Sequence, residues 1–422
     1  MNTEDYKKEI LRQLSDGKYY EKLKQDPKDN VFKNTSTCIE SIEETNSNVT
    51  KEFDMFPESV KTPAFYVLPK IHKTPGSNLA LNYPGRPIVS ADRSPTENIS
   101  KYLDYILVLK PQMINLPSYI KDTTDFNEKI KRSKFKSKAT YLVTLDVSSL
   151  NTYIPHSEGI DACKYFLDER CHGRLKSDDV AKLKLVLQNN YFKFDEDFYL
   201  QKMGTAMGSS MAPSYASLFM GKFEQDFLRN RDLQPTLWLR FLDDIFMAWD
   251  HSLEELQLFI RELNSFHPDI KFTHTISQES LSFLDVNIPK GDNLCVETNI
   301  YVKETNNHQY LDYTSCHPKQ CKNDIPYSQA KRYRRTISDD DKFKHSLSQL
   351  REFFVDRGYP HDVLDRAFQK VVNISQQEAL QTQVVDKNSV IPLTIVYDPA
   401  LPRIDTIQNA KRGLLQFKQY ER

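Results

Sequence analysis

Two short, mostly apolar runs, Leu237–Leu242 and Ile245–Trp249, flank a pair of acids, Asp243 and Asp244. Aromatic and β-favouring residues dominate both runs, and the two polar residues between them predict a tight β-hairpin. The period of the apolar positions places other elements around it. Residues 140–146 read as a strand ending on Asp146. Helices are predicted at about 157–169 and 178–190, followed by a hairpin at 191–200. A long helix then runs to about residue 228, with Met211, Tyr215, Leu218, Phe219 and Phe223 as its buried stripe. Ser252 and Glu255 form a capping box that starts a helix with Leu256, Phe259, Ile260 and Leu263 inward. Strands follow at 267–273 and 281–288. Nearer the N-terminus, residues 62–90 alternate short β-rich runs with prolines. A helix at 97–109 places Ile99, Tyr102, Leu103, Ile106 and Leu107 on one face.

Residues 1–61 are polar, with a helical start (Tyr6, Ile10, Leu11, Leu14) and then an Asn/Thr/Glu-rich loop; no function can be read there. Residues 291–375 read as strands, a basic loop and two helices at 347–357 and 361–372. Residues 376–422 read as a Gln-rich linker, a short apolar run and a polar tail. No apolar run reaches the roughly 18 to 20 residues that span a bilayer, and the charged N-terminus has no signal-peptide core. The six cysteines contain no CxxC pair, which points to reduced thiols and an intracellular protein. Cys316, His317 and Cys321, with His308, are the only cluster suggestive of zinc, and their spacing fits no common finger.

The formal net charge of −1 lacks the basic surplus usual in nucleic-acid binders, so local charge carries more information. Lys129–Lys138 and Lys319–Arg335 are basic; the second ends in Lys331, Arg332, Arg334 and Arg335 with Tyr333 interleaved, a pattern suited to phosphates and bases. Lys70, Lys73 and Arg86 are candidates to hold a polyphosphate; exposed loop charge is the plainer alternative. Gly204 and Gly208 precede a helix N-terminus and permit close backbone approach to a ligand.

Adjacent carboxylates at a hairpin tip are good turn chemistry, but they also repel each other, and a divalent cation offsets that repulsion. Asp146, at the end of a neighbouring strand, completes a set of three. Such a set suits two cations that activate an attacking hydroxyl and stabilise a leaving oxygen, the core of phosphoryl and nucleotidyl transfer. No Ser/His/Asp or Cys/His arrangement competes as clearly. Asp285 stands alone and is not assigned to catalysis. The order strand, helices, helix, hairpin, helix, strand, with acids on the first strand and the hairpin, describes a polymerase palm.

The chain resembles the reverse transcriptases of Penelope-like retroelements, relatives of telomerase reverse transcriptase. The resemblance rests on residues 65–73, 85–90, 142–150, 204–213, 218–220, 240–244, 267–273 and 282–286, with 316–318 and 357–360 matching the thumb region. It covers about residues 62–370 in the family's order. It implies an α+β right-hand polymerase fold, its palm an antiparallel sheet backed by helices. Beyond the extension at 1–61, fingers would span 62–138, the palm (with finger insertions) 139–290 and the thumb 291–375, before a tail at 376–422.

The activity implied is RNA-directed DNA polymerisation. Asp146, Asp243 and Asp244 would be catalytic ligands of two Mg²⁺ ions, with Mn²⁺ as a substitute. Lys271 would protonate the leaving pyrophosphate. Lys70, Arg86, Val147, Asn151, Met207 and Gly208 would contact the nucleotide. Phe283 and Leu284 would help position the primer end, and Lys331, Arg332, Arg334 and Arg335 would touch nucleic acid. The partners implied are an RNA template, a DNA primer or target 3′ end and dNTPs, with a cognate structured element RNA as a further candidate, no membrane, and a nuclear location.

Two departures from the family pattern stand out. Asn151 occupies the position where the family usually has Tyr or Phe, and a tyrosine follows at 153. No GIY-YIG endonuclease motif is present. An RNA-dependent RNA polymerase and a catalytically silent nucleic-acid-binding remnant remain as alternatives.

Overall fold

A computed structural model describes residues 2–45, 59–70, 84–108, 116–133, 140–169, 177–229, 231–290 and 296–381. The elements that matter here are, in chain order, α1 (Thr3–Leu14), β1 (Tyr20–Leu23), α2 (Lys28–Thr45), β2 (Ala64–Pro69), β3 (Gly85–Ser90), α3 (Glu97–Val108), α4 (Thr123–Arg132), β4 (Tyr141–Val147), α5 (Leu150–Tyr153), α6 (His156–Glu169) and α7 (Ser177–Gln188). They continue with β5 (Tyr191–Phe194), β6 (Asp197–Gln201), α8 (Ala212–Leu228), β7 (Leu237–Phe241), β8 (Asp244–Trp249), α9 (Leu253–Phe266), β9 (Phe272–Ser277) and β10 (Ser280–Phe283). The last are β11 (Val286–Pro289), β12 (Asn299–Ile300), α10 (Lys319–Thr336), α11 (Asp340–Val355), α12 (His361–Val372) and α13 (Gln376–Leu380).

The chain divides into two compact units. The first comprises Met1–Asp122, Ser133–Leu284 and Asp292–Leu294; the second comprises Thr123–Arg132, Asp285–Gly291 and Cys295–Arg422.

The first unit holds two sheets. One has strand order β7-β8-β4-β9 and is antiparallel throughout. β4 runs between two neighbours, and its Leu142, Val143, Leu145 and Val147 are all buried, as expected of a central strand covered on both faces. Val143, Leu145, Val147, Ile245, Met247 and Trp249 share one apolar cluster with Tyr215, Leu218 and Phe219 of α8 and with Leu256, Phe259, Ile260 and Leu263 of α9. The helices therefore back one face of the sheet. The capping box of α9 is formed: the Ser252 N–H donates to Glu255 Oε2 (2.9 Å) and the Glu255 N–H donates to Ser252 Oγ (3.2 Å).

The other sheet has order β1-β6-β5-β2-β3. Phe65 and Val67 point into its core while Tyr66 and Leu68 face outward, the period of two that the sequence shows. Residues 1–61, opaque in sequence, contribute directly to this sheet. β1 pairs with β6. On α1, the Tyr6 hydroxyl accepts from the Val67 N–H (3.0 Å) and donates to the Val67 carbonyl (3.1 Å), while Gln13 Nε2 donates to the Gly85 carbonyl (3.0 Å).

The second unit is mainly helical, with β11 paired to β12 and a core that includes Ala330, Tyr333, Phe343, Leu350, Phe354, Leu364 and Phe368. Two expectations need correction here. The basic stretch from Lys319 is a helix, α10, because Ala330 and Tyr333 recur at helical spacing and bury one face despite the surrounding charge. The single strand expected at 281–288 is two, β10 and β11, since Leu284 takes a left-handed backbone (φ +55°) that breaks the run.

Candidate active site

β7 and β8 form a hairpin where the sequence predicts one, but the turn lies one residue earlier than expected: Leu242-Asp243 is the tip, and Asp244 is already in β8, paired with Phe241. The tight reversal places Leu242 at φ +53°, the sign that two-residue hairpin turns require and that a branched side chain adopts at a cost. β4 lies beside β8, so Asp146 stands directly opposite Asp244 and, across its other edge, opposite Thr273 of β9. Residues opposed in this way share a sheet face with their Cβ atoms about 5 Å apart. The Val147 N–H donates to the Asp243 carbonyl (3.0 Å), tying the hairpin tip to the end of β4.

The electrostatics of Asp243 report its neighbours. Burial pushes its carboxyl above the usual carboxylate range, and the nearby Asp146 carboxylate pushes it further; Arg86 and Lys70 act the other way. Those cations come from one end of the β2–β3 hairpin, where Leu68 pairs with Arg86 and the Lys70 N–H donates to the Pro84 carbonyl (2.9 Å). Two carboxylates from one sheet and two cations from the other thus act on the same point. Lys73 lies outside the described residues.

The glycine turn joins these parts. The Val89 N–H of β3 donates to the Met207 carbonyl (3.0 Å), and a Cβ on Gly208 (φ +140°) would lie 2.0 Å from the Val89 oxygen. A Cβ on Gly204 (φ +69°) would lie 2.0 Å from the Asn151 oxygen, which accepts the Thr205 N–H (2.7 Å). The close approach these glycines permit is to the chain's own backbone, which fixes Arg86's strand against the segment that follows Asp146. Asn151 carries a buried side-chain oxygen with no hydrogen-bond partner, while Tyr153 stacks on Tyr19 at 4.6 Å.

Several residues are placed away from their expected roles. The Lys271 ammonium donates to the carbonyls of Asn264 (2.6 Å) and His267 (2.9 Å), closing the C-terminus of α9 where a cation is favoured. The Val147 side chain is in the core, and its N–H is used by the hairpin. The Phe283 side chain is also buried, packed against Phe246, two positions along β8 from Asp244. Leu284 is the turning residue after β10.

In the second unit the basic run is dispersed. Arg332 makes a forked pair with Asp285 (2.7 and 2.9 Å). Arg335 donates to the Ala379 carbonyl (2.8 Å), and Lys331 sits 5.9 Å from the Tyr327 ring. Arg334 is 4% exposed, bonded to Asp340 (2.6 Å) and stacked over Phe343; as a nucleic-acid contact it is corrected to a core residue. His308 stacks on Phe353 at 3.9 Å.

The donor set of three carboxylates suits a hard divalent cation, which prefers oxygen ligands, and the mutual repulsion at Asp243 is what such a cation would relieve. Among the described residues, no three acidic, imidazole or thiol side chains are gathered as a metal cage. Sequence reasoning missed the buried Arg240 behind the hairpin and the role of α1. The available signal for Arg240 was a lone charge within a five-residue apolar strand.

A family model described as an animal helix-turn-helix domain matches residues 309–369, within the second unit. No curated protein matches the sequence. Among solved structures, the chain is similar to telomerase from Candida albicans in complex with a TWJ fragment of telomeric RNA (9% identity, 76% of this chain and 63% of that one, TM-score 0.48). It is similar to the RNA-dependent RNA polymerase of a human picobirnavirus (11% identity, 76% and 61%, TM-score 0.47). Apo telomerase from Candida tropicalis also matches (12% identity, 78% and 62%, TM-score 0.45). The chain spans less than two thirds of each of these proteins. Among the described residues, no helix is long and apolar enough to cross a membrane.

Proposed function

We propose that the chain is a nucleic-acid polymerase, and specifically an RNA-directed DNA polymerase of a Penelope-like retroelement. The carrying observation is the strand register that sets Asp146 opposite Asp244 and ties the Asp243 carbonyl to the Val147 N–H; burial and Asp146 raise the Asp243 carboxyl while Arg86 and Lys70 act the other way, in keeping with it. That is the charge pattern nucleotidyl transfer needs, acids for metal and cations for a polyphosphate. In this reading the four-stranded sheet is the palm, the five-stranded sheet belongs to the fingers and the helical second unit is the thumb, working on an RNA template and a DNA 3′ end in the nucleus.

Asp146, Asp243 and Asp244 would hold two Mg²⁺ ions, which when bound would activate the attacking hydroxyl and stabilise the leaving oxygen. Lys70 and Arg86 would bind and orient the triphosphate, spreading positive charge over the oxygens that gain negative charge. Met207 and Gly208 would border the nucleotide from the turn that fixes β3. Primer extension on matched RNA and DNA templates tests the template class. Preferred extension with dNTPs on RNA supports the reading; extension with rNTPs alone supports the RNA polymerase alternative.

One observation favours some tolerance of ribonucleotides. Asn151 places a buried, unpartnered amide oxygen five residues after Asp146, and such an acceptor is satisfied by a sugar hydroxyl. The variant Asn151→Tyr should then raise the dNTP over rNTP preference about tenfold, equivalent to about 1.4 kcal/mol. Unchanged selectivity in steady-state competition would remove Asn151 from the sugar site.

A further inference from the structure

Arg240 lies on β7 directly behind the hairpin tip and is completely buried. Its guanidinium joins two parts of the first unit, α8 and the hairpin turn. Nε donates to Glu224 Oε1 on α8 (2.6 Å). Nη2 donates to the Ser217 carbonyl on the same helix (3.1 Å), and Nη1 is within 3.4 Å of Ser217 Oγ. Nη1 also donates to the Leu242 carbonyl (3.2 Å), the residue held at φ +53° immediately before Asp243. The backbone of Arg240 is engaged as well: its N–H donates to the Ser118 carbonyl (2.6 Å), and its carbonyl accepts the Ile120 N–H (2.8 Å).

Glu224 is nearly as buried and is bonded on both oxygens. Oε1 also accepts the Trp238 Nε1–H (2.9 Å), and Oε2 accepts the Ser118 hydroxyl (2.6 Å). A buried ion pair is a poor way to gain stability, because desolvation offsets the attraction and an apolar pair of equal volume does as well. What a forked guanidinium provides that an apolar side chain cannot is directional hold on particular carbonyls. Here one of those carbonyls belongs to the strained residue that aims the acidic pair.

We propose that Arg240, neutralised by Glu224, is a positioning residue for the Leu242–Asp243 turn and the Asp244 that follows it. It anchors the left-handed Leu242 to α8 and to the 118–120 segment, and so holds the hairpin tip in the register that sets Asp244 opposite Asp146 and the Asp243 carbonyl on the Val147 N–H. The proposal deepens the nucleotidyl-transfer reading and rests on it. Lysine at 240 keeps the charge for Glu224 but loses the fork to Leu242 and Ser217.

The test compares wild type, Arg240→Lys, Glu224→Gln and Ser118→Ala in three measurements. Hydrogen exchange over the 237–249 peptide should be about tenfold faster in Arg240→Lys, with α8 peptides little changed. Titration with Mn²⁺ alone should show weaker binding. Primer extension should lose about tenfold or more in kcat while KM for dNTP stays within about twofold, since the triphosphate cations are on another sheet. Glu224→Gln, which keeps one acceptor oxygen and the shape but removes the charge that neutralises Arg240, should show the same pattern at least as strongly, and Ser118→Ala, which leaves both charges in place and removes only the Ser118 hydroxyl bond to Glu224, should show it more weakly and guards against variants that fail to fold. Unchanged exchange at the hairpin, or exchange that rises equally through α8, overturns the positioning role whatever the activity. Altered hairpin exchange in a wild-type background that neither binds Mn²⁺ nor extends primers overturns the nucleotidyl-transfer reading instead.

Discussion

The hairpin face of the four-stranded sheet and the basic end of α10 handle charge in opposite ways. On the sheet, carboxylates of like sign are brought together by strand register: Asp146 opposes Asp244, and its charge raises the Asp243 carboxyl. On α10, charges of one sign are separated and three of them meet acceptors inside their own unit, Arg332 at Asp285, Arg334 at Asp340 through Nη2 alone, and Arg335 at the Ala379 carbonyl. Matched charge stabilises or specifies a fold. Crowded like charge costs stability and persists where a ligand of opposite sign is to be bound. The sequence makes both regions look like clusters of functional charge, and only three-dimensional pairing distinguishes them.

The largest change in stability is expected at the buried arginine of α10. Arg334→Ala removes a buried guanidinium and its contact with Phe343, and should cost about 3 kcal/mol by thermal or denaturant unfolding. Arg332→Ala, at a half-exposed pair, should cost less than about 1 kcal/mol. Equal costs would mean that burial does not separate the two roles.

Next comes the crowded side. Asp243 has a raised carboxyl in the folded chain, so the folded state holds its proton more tightly than the unfolded chain does. The resulting penalty is absent below the ordinary carboxylate range and fully present above the raised folded value. Asp243→Asn should therefore raise Tm at neutral pH without divalent cations, and the gain should vanish in acid. A loss of Tm at neutral pH would show that the carboxylate is stabilising as it stands. A smaller effect is expected at Lys271→Ala, which removes the cap on α9 and should lower stability by about 1 kcal/mol. A much larger loss of kcat than of stability there would return Lys271 to the chemistry.

Much of this was legible in sequence where a local rule dominates. The β7–β8 hairpin, the capping box of α9 and the buried stripe of α8 follow from period and turn chemistry, and the structure contains them. That Lys70 and Arg86 would serve the same site as Asp146 and Asp243 was an expectation from an ordered set of motifs rather than from any one of them. What stayed hidden depends on contacts distant in sequence. Tyr6 satisfies Val67 across 61 positions, and α1 and β1 complete a sheet that the polar sequence of residues 1–61 gives no reason to expect. The partners of Lys271 and Arg334 were hidden for a related reason: a cation's surroundings are set by its acceptors, and these are the carbonyls at the end of α9 and Asp340 of α11. The glycines at 204 and 208 announced a close approach correctly but not what approaches.

The central claim is that Asp146, Asp243 and Asp244 form a nucleotidyl-transfer centre. The most direct measurement is primer extension on an RNA template with dNTPs and Mg²⁺, comparing wild type with Asp243→Ala. The account predicts extension by wild type and a loss of about a thousandfold or more in the variant, equivalent to at least about 4 kcal/mol of transition-state stabilisation, with folding retained by circular dichroism. Equal extension by both proteins, or none by a wild type that is folded and binds primer–template, would contradict it.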